Sequence, residues 1–371
     1  MKVDELVDRR LFPHLDWSLV AALLALTLIG LVTISSVTWD AQANQPGTRF
    51  WTQVYALPLG FAALLACLLI DYRVLVQRSW LIYAGVILAL FAVDWFGVVS
   101  NGSQRWIRFG GFSIQPSEFA RMALALVLAG FYGAWRRGSL TTGALAGGGA
   151  LLGVLFLLIK RQPDLGTAAT LIPVFLGIVF VAGLRLKWLA IAGVVAVLAS
   201  PVVWSYGLQD YQKRRVITFL DPSQDPRGDG YQQIQAKITV GSGGLLGKGF
   251  REGTQSNYGF LPVADNDFVF SAFAEEHGFL GVLVALALYL FVIVRSLDAA
   301  RLAKDRVGAF LVVGIISGFT FQVLYNITMS AGLAPVKGLT LPLMSYGGSS
   351  LLATLAGFGL ILNVRMRRFT N

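Results

Sequence analysis

Runs of about 20 mostly apolar residues, each long enough to cross a hydrocarbon core roughly 30 Å thick as a helix, recur from one end of this chain to the other. They fall at about 17–38, 51–70, 79–98, 117–135, 142–159, 167–184, 188–207, 268–294, 308–328 and 345–364. The reading is an all-α integral membrane protein of about ten transmembrane helices, organised as a single polytopic domain over residues 1–371. Composition agrees: 13% of residues are charged, against roughly 25% in a typical soluble domain. The first 16 residues are polar, and no small-residue cleavage site follows the first apolar run. That run is expected to remain as an anchor. Cys67 is the only cysteine and His14 and His277 the only histidines, which rules out an intrachain disulfide and a Cys or His metal cage.

Short basic loops set the orientation. Arg73 and Arg78, Arg136 and Arg137, Arg185 and Lys187, and the group Arg295, Arg301, Lys304 and Arg306 occupy alternate loops. Lys2, Arg9 and Arg10 at one terminus and Arg365, Arg367 and Arg368 at the other fall on the same side, so both termini are expected in the cytoplasm. Residues 208–266 then form one long extracytoplasmic loop between the seventh and eighth spans, rich in Pro and Gly. Loops of that length are usually functional. Gly143, Gly147, Gly148 and Gly149 in the fifth span are read as helix-packing positions.

A second set of cations breaks this pattern by lying at the outer ends of the spans: Arg49, Arg105, Arg108, Arg121, Lys160, Arg161, Lys337 and the cations of the long loop. Several guanidinium and ammonium groups around one outer opening suit a lipid-linked diphosphate, which accepts such donors in bidentate fashion. Solvated loops and local ion pairs, such as Glu118 with Arg121 at i, i+3 and Asp164 with a nearby cation, are the plain alternative. Nucleic acid is excluded as a partner because the charge is on the wrong side of the membrane. Asp94, Glu118, Glu275 and Glu276 fall within spans, where ionisable groups usually face a cavity or one another. Asp267, just before the apolar run Phe268-Val269-Phe270, reads from spacing alone as a helix N-cap. His277 reads as structural. The glycines at 241, 243, 244, 247 and 249 are no phosphate-binding loop, since no strand precedes them and no Gly-Lys-Ser/Thr follows.

Five segments, in order, resemble the SEDS family of bacterial membrane proteins. Gln115-Pro116-Ser117-Glu118-Phe119-Ala120-Arg121 is similar to the element opening the family's fourth helix, with Arg121 where a lysine is usual. Gln162-Pro163-Asp164-Leu165-Gly166-Thr167 matches the family pattern without change. Gly241 to Gly249, followed by Gly253-Thr254-Gln255, resembles the branch that serves cell elongation more than the one that serves division. Phe260-Leu261-Pro262 through Asp267-Phe268, then Ala274-Glu275-Glu276-His277-Gly278, is similar to the segment bearing the family's essential aspartate, here Asp267. Val263 and Asp265 depart there from the usual glutamate and histidine. Leu341 to Ser350 resembles the last outer loop and tenth helix.

The resemblance implies a peptidoglycan glycosyltransferase of the cytoplasmic membrane that polymerises lipid II during cell elongation and rod-shape maintenance. The donor would be a glycan on undecaprenyl diphosphate and the acceptor a second lipid II. The transfer would be inverting, with Asp267 as catalytic base. Expected at the substrates are Arg105, Glu118, Arg121, Lys160, Arg161, Asp164, Arg215, Lys248 and Ser345. No cofactor is required by the residues, although a divalent cation, Mg2+ or Mn2+, held between the diphosphate and outer carboxylates is compatible with them. The family also implies a class B penicillin-binding protein as transpeptidase partner. Two other classes fit a polar bundle: a lipid II flippase, which needs a polar path through the bilayer, and a non-catalytic scaffold, in which Asp267 is dispensable. The crowding of ionisable groups in the outer third favours the enzyme. Asp265→Asn, in the same loop, is expected to serve as an inert charge control for Asp267→Asn.

Overall fold

The structure, a computed structural model, describes residues 14–40, 42–100, 103–109, 112–134 and 140–369. The topology markers Lys2, Arg9, Arg10, Arg136 and Arg137 lie outside the described residues. The first half of the chain runs α1 (Trp17–Val37), the hairpin β1 (Trp39–Asp40) and β2 (Gln45–Pro46), α2 (Thr48–Leu69), the short α3 (Tyr72–Gln77), and α4 (Ser79–Phe96). An antiparallel sheet of β3 (Val98–Ser100), β4 (Ser103–Phe109) and β5 (Phe112–Ile114) follows, with Val98 opposite Trp106 and Ile107 opposite Ile114. Then come α5 (Pro116–Gly133), α6 (Thr142–Arg161), α7 (Leu165–Val181) and α8 (Leu186–Val202).

Each expected span is a helix. Seven described helices are long and apolar enough to cross a membrane: α1, α2, α4, α6, and three that follow below. The exceptions have local causes. Helix α5 carries Glu118 and Arg121 in its first two turns, α7 has only 17 residues, and α8, also 17 residues, continues into a π-helical segment, Val203–Gly207. None of the described residues of α8 is buried. Capping follows the sequence. Asp16 accepts from the amide of Leu19, Thr141 from Ala144 and Asp164 from Thr167, each satisfying an orphan N–H of the first turn.

The segment expected as one long loop is largely helical. It contains α9 (Asp210–Leu220), α10 (Asp229–Ser242) and the single turn α11 (Thr254–Asn257). Apolar length finds membrane spans but passes over short polar helices such as these, in which Gln, Lys and Arg alternate with isolated apolar residues. The chain ends with α12 (Val269–Arg301), α13 (Arg306–Ser330) and α14 (Gly348–Met366). Helix α14 is enclosed all round, with every residue from Ser349 to Met366 except Leu352 buried.

Glycines decide two close approaches. Gly148 faces the phenol of Tyr132 and Gly147 the ring of Phe131, leaving no room for a Cβ, as the packing reading requires. Gly143 and Gly149, however, look onto open space and pack against nothing. Helix α12 is broken at Gly278, whose φ of 64° is left-handed. The glycine series stitches this break. Lys248 and Gly249 donate to the carbonyls of Glu275 and Glu276 (3.0 Å each), while Phe279 and Leu280 donate to Gly244 and Leu245 (2.9 and 3.1 Å). Backbone groups freed by the break are thus satisfied within the protein, as a membrane-embedded chain requires.

One end of the bundle is closed by Asp16 with Arg295 and Arg365 (3.1 and 2.9 Å), Asp71 with Arg367 (3.2 Å) and Asp305 with Arg73 (3.0 Å). These are residues expected on the cytoplasmic side. The opposite end gathers the outer cations and the resembling motifs.

Candidate active site

Asp267 lies at the end of a tight turn, 262–268, that leads into α12. Phe268 is the N-cap of that helix and Asp267 makes no capping hydrogen bond, so the N-cap reading of Asp267 does not hold. Instead the turn is wound so that Asn266 and Phe268 both donate to the carbonyl of Val263 (3.1 and 3.4 Å). Val263 has φ of 51°, an unusual conformation for a β-branched residue, and its carbonyl is the acceptor that closes the turn.

Three elements grip the turn. From α13, the buried Asn326 donates its amide to the carbonyls of Asp267 (2.8 Å) and Leu339 (2.7 Å). From the irregular 331–347 segment, Ser345 Oγ donates to the carbonyl of Asn266 (2.6 Å) and the amide of Tyr346 donates to Asp265 (2.9 Å). From the start of α2, one terminal nitrogen of Arg49 donates to both carboxylate oxygens of Asp265 at 2.8 Å. Pro335 and Pro342 keep 331–347 out of regular helix. Their carbonyls accept from the hydroxyls of Tyr325 (2.8 Å) and Tyr289 (2.6 Å).

Within this frame the Asp267 side chain is held but not consumed. Its Oδ1 is sealed from solvent and has no hydrogen-bond partner, while a Cβ at Gly338 would stand only 3.6 Å from Oδ2. Burial pushes the carboxyl up to about 6; the charge of Asp265 adds to this, Arg215 opposes it and Asp164 adds a little more. A carboxylate of this strength is close to the optimum for moving protons near neutral pH.

The expected substrate residues fall into three groups. Arg215 (in α9) lies within electrostatic reach of Asp267 and also pairs with Asp229 at 3.0 Å. Ser345 touches the Asp267 turn directly. Lys337, which the motif reading did not place at the site, is half-buried in the segment that contacts Asp267. Its ammonium lies over the ring of Tyr325 at 5.7 Å, and burial with the charge of Arg215 lowers its pKa.

A second group forms the corner between α5 and α7. Asp164 accepts from Gln115 (3.0 Å) and Thr167, and Arg105 from β4 donates to the carbonyls of Gln162 and Pro163 (2.9 and 2.6 Å) and approaches Asp164 at 3.7 Å. Arg161 pairs at 3.8 Å with Asp94, at the exposed rim, and Lys160 is exposed beside it.

The third group is structural in its contacts. Glu118 and Arg121 pair at 2.5 Å, both nearly buried, beside a cavity of about 40 Å³ between α5, α13 and α14. That is far below the roughly 300–1,000 Å³ of a ligand pocket. Arg121 also donates to Gln322, which donates to Thr340 (3.0 Å), so the pair supports the site from beneath. Lys248 is bound to Glu275 (2.7 Å), whose fully buried carboxylate also accepts from Gln255 and Ser256. His277 stacks on Phe273 at 4.5 Å, in keeping with a structural role. Gln322 and Asn326 carry no charge, and their i, i+4 spacing on a largely apolar helix is the signal they leave in the sequence.

Among the described residues no group of three or more His, Cys, Asp or Glu is placed to hold a metal ion.

Residues 13–369 match the FtsW/RodA/SpoVE family of cell cycle proteins. The peptidoglycan glycosyltransferase MrdB of Escherichia coli K12 is 37% identical over 358 residues, covering 96% of this chain and 94% of the relative. The probable peptidoglycan glycosyltransferase FtsW of Geobacter metallireducens is 36% identical and covers 95% of each. A chain from a solved peptidoglycan synthase complex, in which polymerization and crosslinking are coordinated, superposes with a TM-score of 0.82 at 32% identity, covering 96% of this chain and 99% of that one. The rod shape determining protein RodA of Thermus thermophilus superposes with a TM-score of 0.72 at 29% identity, covering 96% and 98%.

Proposed function

The chain belongs to the FtsW/RodA/SpoVE family and is a multi-pass membrane peptidoglycan glycosyltransferase, and we propose that Asp267 is the general base of its transfer step. The observation that carries this reading is the Asp267 carboxyl itself, gripped through its backbone while one carboxylate oxygen is left without a partner.

The donor is a glycan strand α-linked through N-acetylmuramic acid to undecaprenyl diphosphate, and the acceptor is the 4-hydroxyl of N-acetylglucosamine in a second lipid II. The acceptor oxygen attacks the anomeric carbon from the face opposite the leaving diphosphate, and its proton passes to Asp267. The anomeric C–O bond breaks with its electron pair going to the diphosphate, so an α-linked donor gives a β-1,4 product. The departing group needs positive charge fixed in advance. Arg215 is the cation within electrostatic reach of Asp267 and Lys337 lies next to it. Arg105, Lys160 and Arg161 at the neighbouring rim guide the diphosphates toward the site, with Asp164 fixing Arg105.

Ten crossings place both termini in the cytoplasm and the Asp267 site on the outer face, where lipid-linked precursor is polymerised. A class B penicillin-binding protein, anchored by one span, packs on the bundle near α12 and α13 and crosslinks the strands. Purified protein given lipid II should yield β-1,4 strands that muramidase degrades, and release of undecaprenyl diphosphate should match the bonds formed. Lipid II translocated across vesicles without polymer would contradict the reading.

A further inference from the structure

The turn that presents Asp267 contains a second carboxylate, and its environment is unlike that of a surface residue. Asp265 is 3% exposed and its backbone carbonyl accepts from Tyr346. Both carboxylate oxygens are bound by one nitrogen of Arg49, whose guanidinium also lies over the Tyr346 ring at 5.9 Å. Arg49 comes from the first turn of α2, more than 200 residues away in sequence. The two form an ion pair at 2.8 Å.

We propose that Arg49 is a positioning residue for the transfer reaction: by neutralising Asp265 and tying the turn to α2, it keeps Asp267 deprotonated and in place to take the acceptor's proton. This rests on Asp267 being the base.

The electrostatics follow from which groups face Asp267. On its own turn is Asp265; from α9 comes Arg215, from the cap of α7 comes Asp164, and Lys337 and Tyr325 lie beside Arg215. Two carboxylates two residues apart disfavour each other's ionisation, and Asp265 raises Asp267 accordingly. Arg215 is the cation that acts on Asp267 directly, whereas Arg49 is bound to Asp265 and cancels charge at the carboxylate that raises Asp267. Without Arg49 the pair of carboxylates would hold a proton to higher pH. Without Asp265, Asp267 would lose its proton at lower pH. The two changes displace the same titration in opposite directions, which loosening of the turn alone would not do.

The closing test is the pH dependence of polymerisation by the purified full-length protein with lipid II. In the wild type the rate should fall as pH drops through about 6, where Asp267 takes up its proton. Arg49→Gln should move that acid limb upward by about one unit and Asp265→Asn should move it downward. Arg49→Lys, which keeps the charge, should restore most of the wild-type position. In the Asp265→Asn background, Arg49→Gln should cause no further upward movement. If Arg49→Gln proves too unstable to purify, the downward movement in Asp265→Asn and the near-normal position of Arg49→Lys decide the matter. An unmoved acid limb in Asp265→Asn, or equal loss at every pH in both variants, would overturn the proposal. If Asp267→Asn polymerises normally, the base assignment fails; if it is inactive while the limbs stay fixed, only the role of Arg49 fails.

Discussion

The amide of Asn326, fully buried in α13, donates 2.8 Å to the backbone carbonyl of Asp267 and 2.7 Å to that of Leu339. One side chain thereby fixes the turn bearing Asp267 to the segment bearing Lys337 and Gly338. Asn326→Leu removes both bonds and leaves two carbonyls unpaired, at a cost of about 1–3 kcal/mol. The variant should remain folded in detergent with a lowered melting temperature, and its polymerisation rate should fall at least tenfold. Wild-type rate at a lowered melting temperature would show that the clamp is purely structural.

The Glu118–Arg121 pair lies in the first two turns of α5, with side chains 10% and 12% exposed. Removing one partner of a buried pair leaves a charge uncompensated and costs about 3–5 kcal/mol, whereas removing both costs much less. Glu118→Gln should therefore destabilise more than Glu118→Gln with Arg121→Met. Thermal unfolding in detergent reads the difference, and additive losses would contradict the pairing.

Glycine requirements separate along the 241–249 series. At Gly247, φ is 83° and an added Cβ would stand 2.7 Å from the amide of Gly278, at the break of α12, while Gly241 has open space around it. Gly247→Ala should lower stability by about 1–3 kcal/mol and Gly241→Ala by much less. Equal melting temperatures would mean that the loop does not stitch the broken helix.

The spans were legible because apolar length is a direct consequence of bilayer thickness. Asp267 was legible through motif resemblance; spacing alone suggested a cap, one residue from where the cap is. Short helices of the 208–266 segment were not legible, because α9 and α10 are too polar and too brief to register as spans. Neither was the grip on the turn: Arg49 and Asp265 are far apart in sequence, and Asn326 carries no charge to set it apart in a helix of membrane length. For the same reason Asp265→Asn is not an inert control, since it removes the buried half of the ion pair with Arg49.

Topology has its own test. On a Cys67→Ala background, Ser223→Cys should react with an impermeant thiol reagent in intact spheroplasts and Lys304→Cys should not. Ser223 and Lys304 are both exposed, and the bond that Ser223 Oγ donates to Asp221 (2.5 Å) lies at the surface, so neither substitution should disturb the fold. The reverse labelling pattern would invert the orientation and place Asp267 in the cytoplasm.

The central claim is that Asp267 takes the acceptor's proton, and Asp267→Asn tests it most directly. The change keeps the size of the side chain and removes its basicity, and it leaves the backbone carbonyl that Asn326 grips untouched. Loss of a general base costs about 10²–10⁴-fold in rate, or roughly 3–5 kcal/mol of transition-state stabilisation. Glycan strands formed from lipid II should be measured under single-turnover conditions, with wild type and variant at equal folded concentration and equal bound lipid II. The account predicts unchanged lipid II binding with strand formation reduced at least a hundredfold; strands formed at the wild-type rate would contradict it.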